Sequence, residues 1–270
     1  MTDSSAAARL PGATRPIALV TGPTSGIGQG YAERLASLGY DLVLVARDEQ
    51  RLAALADELK RRFDTRSEVL RADLADAADR DRVAARLGEG VEFLVNNAGL
   101  GLSGEFWTVD PAKLQTQLDV NVTAVLQLTR AALPPMITAA KGTVVNVASV
   151  AGLVPGRGST YSASKAYVIS FTEGLSGGLT GTGVRMQALC PGFVRTEFHR
   201  RAGLERPSGP EPMWLSVDQV VAGSLHDLEK GRVISVPGVQ YKALTAVAGL
   251  IPRSLQVRLN QGLFNARGRT

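Results

Sequence analysis

Residues 17–28 read IALVTGPTSGIG, an aliphatic run that passes straight into a glycine-rich turn and the start of a helical pattern. Five apolar or β-branched residues without polar alternation suit a strand buried on both faces. The glycines that follow permit backbone conformations closed to other residues, so the main chain at Gly22, Thr24, Ser25, Gly26, Ile27 and Gly28 can come close to a bound group. Helix N-terminal amides and the helix dipole favour an anion there, which makes the turn a candidate cradle for a pyrophosphate. The literal GxGxxG spacing is absent, and plain strand-to-helix packing is the other reading of the same turn.

Working outward, six more runs follow: DLVLVAR at 41–47, SEVLRAD at 67–73, EFLVNNAG at 92–99, GTVVNVAS at 142–149, VRMQALCPG at 184–192 and RVISVPG at 232–238. Segments long enough for crossover helices separate them. The alternation predicts an α/β fold, a doubly wound parallel sheet of about seven strands covered by helices on both faces. Asp48 is placed to cap a helix through residue 62, Asp110 with Pro111 opens a long helical segment to about residue 140, and Asp218 lies near the start of a late helix. No repeat or low-complexity linker interrupts the series, so 16–238 reads as one domain. Residues 1–15 read as a disordered leader, 195–215 as an irregular excursion and 239–270 as a basic C-terminal appendage.

Composition limits the function classes. With 270 residues, 44% hydrophobic and 20% charged, the chain can bury a sizeable core and is neither disordered nor fibrous. No signal-peptide pattern and no apolar run of bilayer length occurs, so the expected address is the cytoplasm. The net charge of +5 matches the segment 240–270, which holds Lys242, Arg253, Arg258, Arg267 and Arg269 and no acid. A charge confined to one end, with aromatics only 5% of the chain, argues against nucleic acid as partner. The one cysteine, Cys190, forms no internal disulfide and reads as a buried strand end, with a reactive thiol as the other possibility.

The chemistry concentrates at SVAGLVPGRGSTYSASK, residues 149–165. If Tyr161 opens a helix, Lys165 projects from the same face one turn on. A cation near a phenol favours phenolate and brings a group that normally titrates near pH ~10 toward neutrality. Ser149, Tyr161 and Lys165 together would then serve proton transfer at a carbonyl or alcohol oxygen. Taken alone, YSASK is also an ordinary polar helix start. At the end of the second run, Ala46 occupies the position where an acid would bind ribose hydroxyls, and Arg47 offers a planar cation suited to a 2′-phosphate. That favours NADP(H) over NAD(H), unless Asp48 faces the ribose instead of capping a helix.

TGPTSGIG, the NNAG of 96–99, Asn121 in DVNVTAV, Ser149, YSASK and the PGFVRT that begins at Pro191 occur in an order and spacing that resemble the classical short-chain dehydrogenases/reductases. The resemblance covers about residues 16–236. It implies a single-domain Rossmann enzyme whose catalytic tetrad corresponds to Asn121, Ser149, Tyr161 and Lys165. Tyr161 would protonate the carbonyl oxygen while the nicotinamide delivers hydride, and Ser149 would hydrogen-bond that oxygen. Lys165 would bind the nicotinamide ribose and lower the Tyr161 pKa, and Asn121 would hold a water leading to solvent. Asp73 with Leu74 would contact the adenine, Asn97, Ala98 and Gly99 would line the cofactor, and Pro191, Gly192, Val194 and Thr196 would lie along it, the last two orienting the carboxamide. Structural roles stay open for Asn121 as a packed helix residue and for Asp73 as a turn residue. Gly30 departs from the family, which often has a bulkier residue there.

The resemblance also implies a homodimer or homotetramer built on the helices near 110–140 and 160–180. The excursion at 195–215 has the length of a substrate lid. Phe193, Phe198, Met213 and Trp214 would line an apolar pocket, while His199, Arg200 and Arg201 face an anionic group or water. His199 and His226 are the only histidines, at spacings that suggest neither a metal site nor a Ser/His/Asp triad. The tail alternates apolar and basic residues at helical spacing and is expected to break at Pro252. It closes the pocket, packs on a neighbouring subunit or makes weak contact with a membrane surface. The expectation is an NADP(H)-dependent oxidoreductase for the carbonyl or alcohol of a moderately apolar small molecule. A non-catalytic, dinucleotide-sensing scaffold on the same fold is the alternative, against which the filled tetrad argues.

Overall fold

The seven aliphatic runs form seven strands, and the computed structural model, which describes residues 15–153, 159–198 and 211–251, pairs them all in parallel. They are β1 (Ile17–Thr21), β2 (Asp41–Ala46), β3 (Ser67–Arg71), β4 (Phe93–Asn96), β5 (Gly142–Val147), β6 (Val184–Leu189) and β7 (Ile234–Ser235). Their order across the sheet is β3-β2-β1-β4-β5-β6-β7. The chain winds one way from β1 and then the other way from β4. This reversal opens a crevice outside the carboxyl ends of β1 and β4, where doubly wound folds bind their ligands.

Why the runs lack polar alternation is visible in the core. Ala18, Val20, Leu42 and Leu44 pack on one face of the sheet against Tyr31, Leu35, Leu52 and Val220, whereas Leu19, Val43 and Val45 pack on the other against Val83, Leu87 and Leu128. Helices α1 (Gly26–Ser37), α2 (Glu49–Phe63) and α7 (Val217–Glu229) cover the first face, and α3 (Ala77–Gly88), α5 (Ala124–Thr138) and α6 (Ser159–Gly178) contribute to the second. The edge strand β3 differs, being half-buried at Ser67, Val69 and Leu70 and exposed at Glu68 and Arg71.

Local signals set the helix starts. Asp48 accepts from Arg51 N and caps α2, and Ser216 forms a reciprocal capping box with Gln219 at α7. The long segment opened by Asp110 and Pro111 is not one continuous α-helix. It runs as α4 (Pro111–Leu118), a π-helical turn (Asp119–Thr123) and then α5, so Asn121 lies in a local widening of the helix. Gly30 has a packing reason. A Cβ there would lie 2.3 Å from Val217 Cγ1, so its absence lets α1 and α7 approach closely.

A polar ladder threads this apolar interior behind the site. Asn96 Nδ2 donates to Asn146 Oδ1 at 2.9 Å and to Thr129 Oγ1 at 3.1 Å, and Asn146 Nδ2 donates to Thr172 Oγ1 at 3.0 Å. It ties β4 and β5 to α5 and α6. All four residues are buried, so losing one partner leaves groups that water does not reach. Asn146→Leu is expected to lower unfolding stability by about 2–4 kcal/mol, measured by urea denaturation, with far-ultraviolet circular dichroism unchanged at low denaturant.

Candidate active site

The glycine turn is held from behind by the end of β4. Thr21 Oγ1 accepts from Asn97 N at 2.9 Å and Ala98 N at 3.0 Å, while Asn97 Nδ2 donates to Thr21 O at 2.9 Å and Gly22 O at 3.0 Å. The Asn97 side chain is therefore committed to shaping the turn. A Cβ on Gly28 would meet Gly22 O at 2.3 Å, so only glycine lets α1 begin this close beneath the turn. Ser25 occupies the N-cap of α1 without a side-chain cap bond, which leaves the first amides of the helix for a ligand. These features fit a dinucleotide pyrophosphate.

At the end of β2, Arg47 is exposed and makes no hydrogen bond or ion pair among the described residues. Its neighbour one turn on was not singled out by the sequence. Arg51 donates from Nη2 to Thr24 O at 2.7 Å and lies 3.5 Å from Glu197 Oε2, placing a second guanidinium against the turn. Asp73 accepts from Ala75 N at 3.0 Å, a local turn contact, and the Leu74 side chain is 6% exposed in the core. Any contact of Leu74 with an adenine therefore comes from its backbone.

The four tetrad positions converge where β5, α6 and the π turn meet. Ser149 lies just past β5, accepts from Ala151 N at 3.1 Å, and its side chain hydrogen-bonds Tyr161. Lys165 follows Tyr161 by one turn of α6, and its Nζ donates to Val147 O at 2.8 Å. Asn121 is fully buried, accepts from Leu100 N at 2.8 Å and donates to Leu100 O at 2.9 Å and Ser164 Oγ at 3.2 Å. Its amide is thus a two-point clamp on the segment after β4. The buried Gln117, one turn earlier, donates to the same Leu100 carbonyl at 3.3 Å, a supporting role that one sequence gives no means to detect. Gly99 sits over this floor, where a Cβ would lie 3.4 Å from Asn121 Oδ1 and 3.5 Å from Lys165 Nζ.

The electrostatics differ from the sequence expectation. Burial pushes the Tyr161 phenol up to about 12, opposed by its hydrogen bond with Ser149, although the ring keeps some exposure toward the cleft. Burial, and not Lys165, sets the direction. The ammonium lies over the ring, 5.8 Å from its centroid, and is itself pulled down to about 8 by burial, with 4% of the residue exposed. Desolvation disfavours both charged forms, so the resting pair is a neutral phenol above an ammonium easily discharged. Cys190, fully buried at the end of β6, has its thiol raised to about 12 by burial, in keeping with a packed residue.

The described part of the excursion begins and ends in one place. Val194 pairs with Leu215 in a parallel bridge, Arg195 N donates to Leu215 O at 3.1 Å, and Leu215 N donates to Phe193 O at 2.9 Å. Phe198 reaches the site, with its ring 5.9 Å from that of Tyr161. The Phe193 and Trp214 rings meet at a tilt of 30° with centroids 5.3 Å apart, and Met213 packs on the core. Thr196 rests against Gly26 of the turn, and Pro191 O accepts from Val150 N at 3.1 Å. His199, Arg200 and Arg201 lie outside the described residues.

A residue the motifs did not mark joins these ends. Tyr241 comes from α8 (Val239–Leu250); its hydroxyl accepts from Phe193 N at 2.8 Å and donates to Met213 O at 2.7 Å. Gly192 allows it, since a Cβ there would fall 1.9 Å from Tyr241 Cζ. A cavity of about 740 Å³ elsewhere, lined by Gln29, Glu33, Arg51, Glu197 and Asp218 among others, touches the turn only at Ser25 and Gly26 and includes none of Ser149, Tyr161 or Lys165. The chemistry is located by those three side chains and not by cavity size. Among the described residues no group of His, Cys, Asp or Glu gathers to hold a metal ion.

A parallel sheet with a glycine cradle at its switch point and a Ser–Tyr–Lys cluster beside it defines a nucleotide-dependent oxidoreductase of Rossmann type. The chain belongs to the short chain dehydrogenase family, whose profile matches residues 16–206. Sulfoacetaldehyde reductase 2 of Chromohalobacter salexigens is 43% identical over 188 residues, 67% of this chain and 74% of that protein. The short-chain dehydrogenase from Sphingobium yanoikuyae, solved in complex with NADPH, superimposes with a TM-score of 0.80 at 36% identity over 88% of this chain and 96% of its own. A short chain dehydrogenase/reductase from Burkholderia phymatum in complex with NAD gives 0.76 at 29% identity over 91% of this chain and 95% of its own. The protein is an enzyme, a carbonyl/alcohol oxidoreductase, and the scaffold alternative is not favoured.

The Lys165 shift carries a stability consequence. An ammonium whose folded pKa is about 8 against an ordinary 10.5 costs the folded state on the order of 3 kcal/mol below pH 8. That cost shrinks as pH rises to 10.5, because in that window the unfolded chain binds more protons. Lys165→Met, which also orphans the Val147 carbonyl, is expected to raise stability by on the order of 1–2 kcal/mol at pH 7 while abolishing turnover. Urea denaturation at pH 7 and again near pH ~10 should show the gain and then its loss.

Proposed function

We propose that the protein is an NADP(H)-preferring reductase of ketones or aldehydes on moderately apolar small molecules, reversible as an alcohol dehydrogenase. The observation that carries this reading is the convergence of Ser149, Tyr161 and the buried Lys165 at the end of β5, beside a turn shaped for a pyrophosphate. A dinucleotide bound in the crevice supplies or accepts the hydride. Tyr161 gives its proton to the carbonyl oxygen, and Ser149 Oγ hydrogen-bonds the same oxygen as charge develops on it. Lys165 spends one donor on Val147 O and has others for the ribose hydroxyls on its Gly99 side. The Asn121 side chain bonds Leu100 and Ser164, and Asn121 would hold a water that connects Lys165 to solvent.

The residues that would hold the dinucleotide are Gly22, Thr24, Ser25, Gly26, Ile27 and Gly28 at the pyrophosphate, and Asp73 with Leu74 at the adenine. Ala98, Gly99, Pro191, Gly192, Val194 and Thr196 would lie along the remainder. Arg47 supports NADP(H) because its exposed guanidinium has no partner among the described residues, while Asp48 is used as the α2 cap. The aromatic side chain beside Tyr161, Phe198, favours an apolar group next to the carbonyl. Leu118, Leu126, Ile137 and Tyr167 are exposed on α4, α5 and α6, which supports a homodimer or homotetramer through those helices. No helix among the described residues is long and apolar enough to cross a membrane, and a cytoplasmic address is proposed, with weak membrane-surface contact through 239–270.

Tyr161→Phe is expected to cut kcat by about 10²–10⁴ with NADPH binding retained, read by steady-state kinetics and cofactor fluorescence titration. A phenol held near 12 is the acid form at neutral pH, so ketone reduction proceeds there while alcohol oxidation, which needs phenolate, accelerates as pH rises. Equal rates in Tyr161→Phe would sink the mechanism. Arg47→Ala is expected to raise KM for NADPH by roughly tenfold or more and leave KM for NADH nearly unchanged, since one charge-assisted contact contributes about 1.5–3 kcal/mol.

A further inference from the structure

Helix α8 has two faces with different obligations. Its buried side meets the excursion at Tyr241, 2% exposed, which bridges Phe193 and Met213, while Gln240 in the first turn donates from Nε2 to Pro212 O at 3.1 Å. Both ends of the excursion are thereby pinned to one helix. The outer face carries Val239, Ala243, Leu244, Ala246, Val247 and Leu250, all turned to solvent, with Val239 82% and Leu250 86% exposed. At about 100° per residue these six span roughly 160°, a sector that also contains the half-buried Gln240 and is flanked by the exposed Lys242. An apolar helix face left in water beside a functional lid needs an occupant.

Charge selects among occupants. From 240 to 270 the chain has Lys242, Arg253, Arg258, Arg267 and Arg269 and no acid, and this equals the whole net charge of +5. The same segment of a second copy has no acid with which to offset these cations. A surface that is apolar within and anionic at its boundary satisfies both features at once. We propose that α8 docks on an anionic phospholipid surface through Leu244, Val247 and Leu250, with the lid ends that Tyr241 and Gln240 pin held at that surface. Apolar carbonyl substrates then reach Tyr161 from the lipid phase; this second part rests on the reductase reading above.

The test uses the full chain and two exposed positions outside the catalytic and cofactor machinery. Purified protein, without cofactor or substrate, is co-sedimented with vesicles of phosphatidylcholine alone and of phosphatidylcholine with roughly one third phosphatidylserine. Binding to the anionic vesicles, weakened by salt and by omitting phosphatidylserine, is expected. Val247→Glu with Leu250→Glu is expected to lower partitioning by on the order of tenfold while a water-soluble ketone is reduced at the wild-type rate. Failure to bind anionic vesicles, or equal binding by the double variant, would overturn the proposal. So would a change of molar mass in light scattering caused by the double variant, which would assign the face to a contact between copies. A vesicle-bound protein that reduced no carbonyl would overturn the reading of the site and leave the docking intact.

Discussion

The Lys165 ammonium bonded to the Val147 carbonyl is the constraint around which the site is arranged. It places a nearly inaccessible charge at the junction of β5 and α6, where few groups are available to receive it. Once Nζ is fixed there, the helix period puts Tyr161 one turn back on the same face, and Ser149, two residues past Val147, comes within hydrogen-bond reach of the phenol. The Asn96–Asn146–Thr172 ladder holds the same strand and helix together from behind. Active-site geometry and core packing are therefore one structure in this region, and a change in either is felt in both.

The cost of that arrangement is borne in charge. Both Lys165 and Tyr161 are driven toward their neutral forms by burial. Residues remote in sequence complete the cleft. Tyr241 of α8 reaches the two ends of the excursion that begins after β6, and Gly192 is small enough to let it pass. Helix α8 thus holds the ends of the excursion on one side and is open to solvent on the other.

Much of this was legible in the residues. Aliphatic runs without alternation predicted strands covered on both faces, and the packing of Ala18 and Val20 against one set of helices and Leu19 against the other shows why. Asp48 as a cap followed from its place before a helical pattern, because capping is a local interaction. The pKa of Tyr161 is not legible in the sequence, for the opposite reason. Spacing places a cation on the same helix face as the phenol, but the shift depends on how much water the fold removes and on the Val147 carbonyl that draws the ammonium aside. Likewise Arg51, Gln117 and Tyr241 act through Thr24, Leu100 and the lid ends, partners that no spacing in the chain brings near.

The sequence by itself determined the strands, most helix starts, the glycine turn and the ordered motifs that carry Ser149, Tyr161, Lys165 and Asn121, because each is specified by residues within a few positions of one another or by an ordered series of such motifs. Only the tertiary structure decided the protonation of the Tyr161–Lys165 pair, the π turn that seats Asn121 on Leu100, and the clamp of α8 on the lid. Desolvation and long-range contact belong to the folded chain as a whole. They depend on what surrounds a side chain in space, and that is set by every element that packs there.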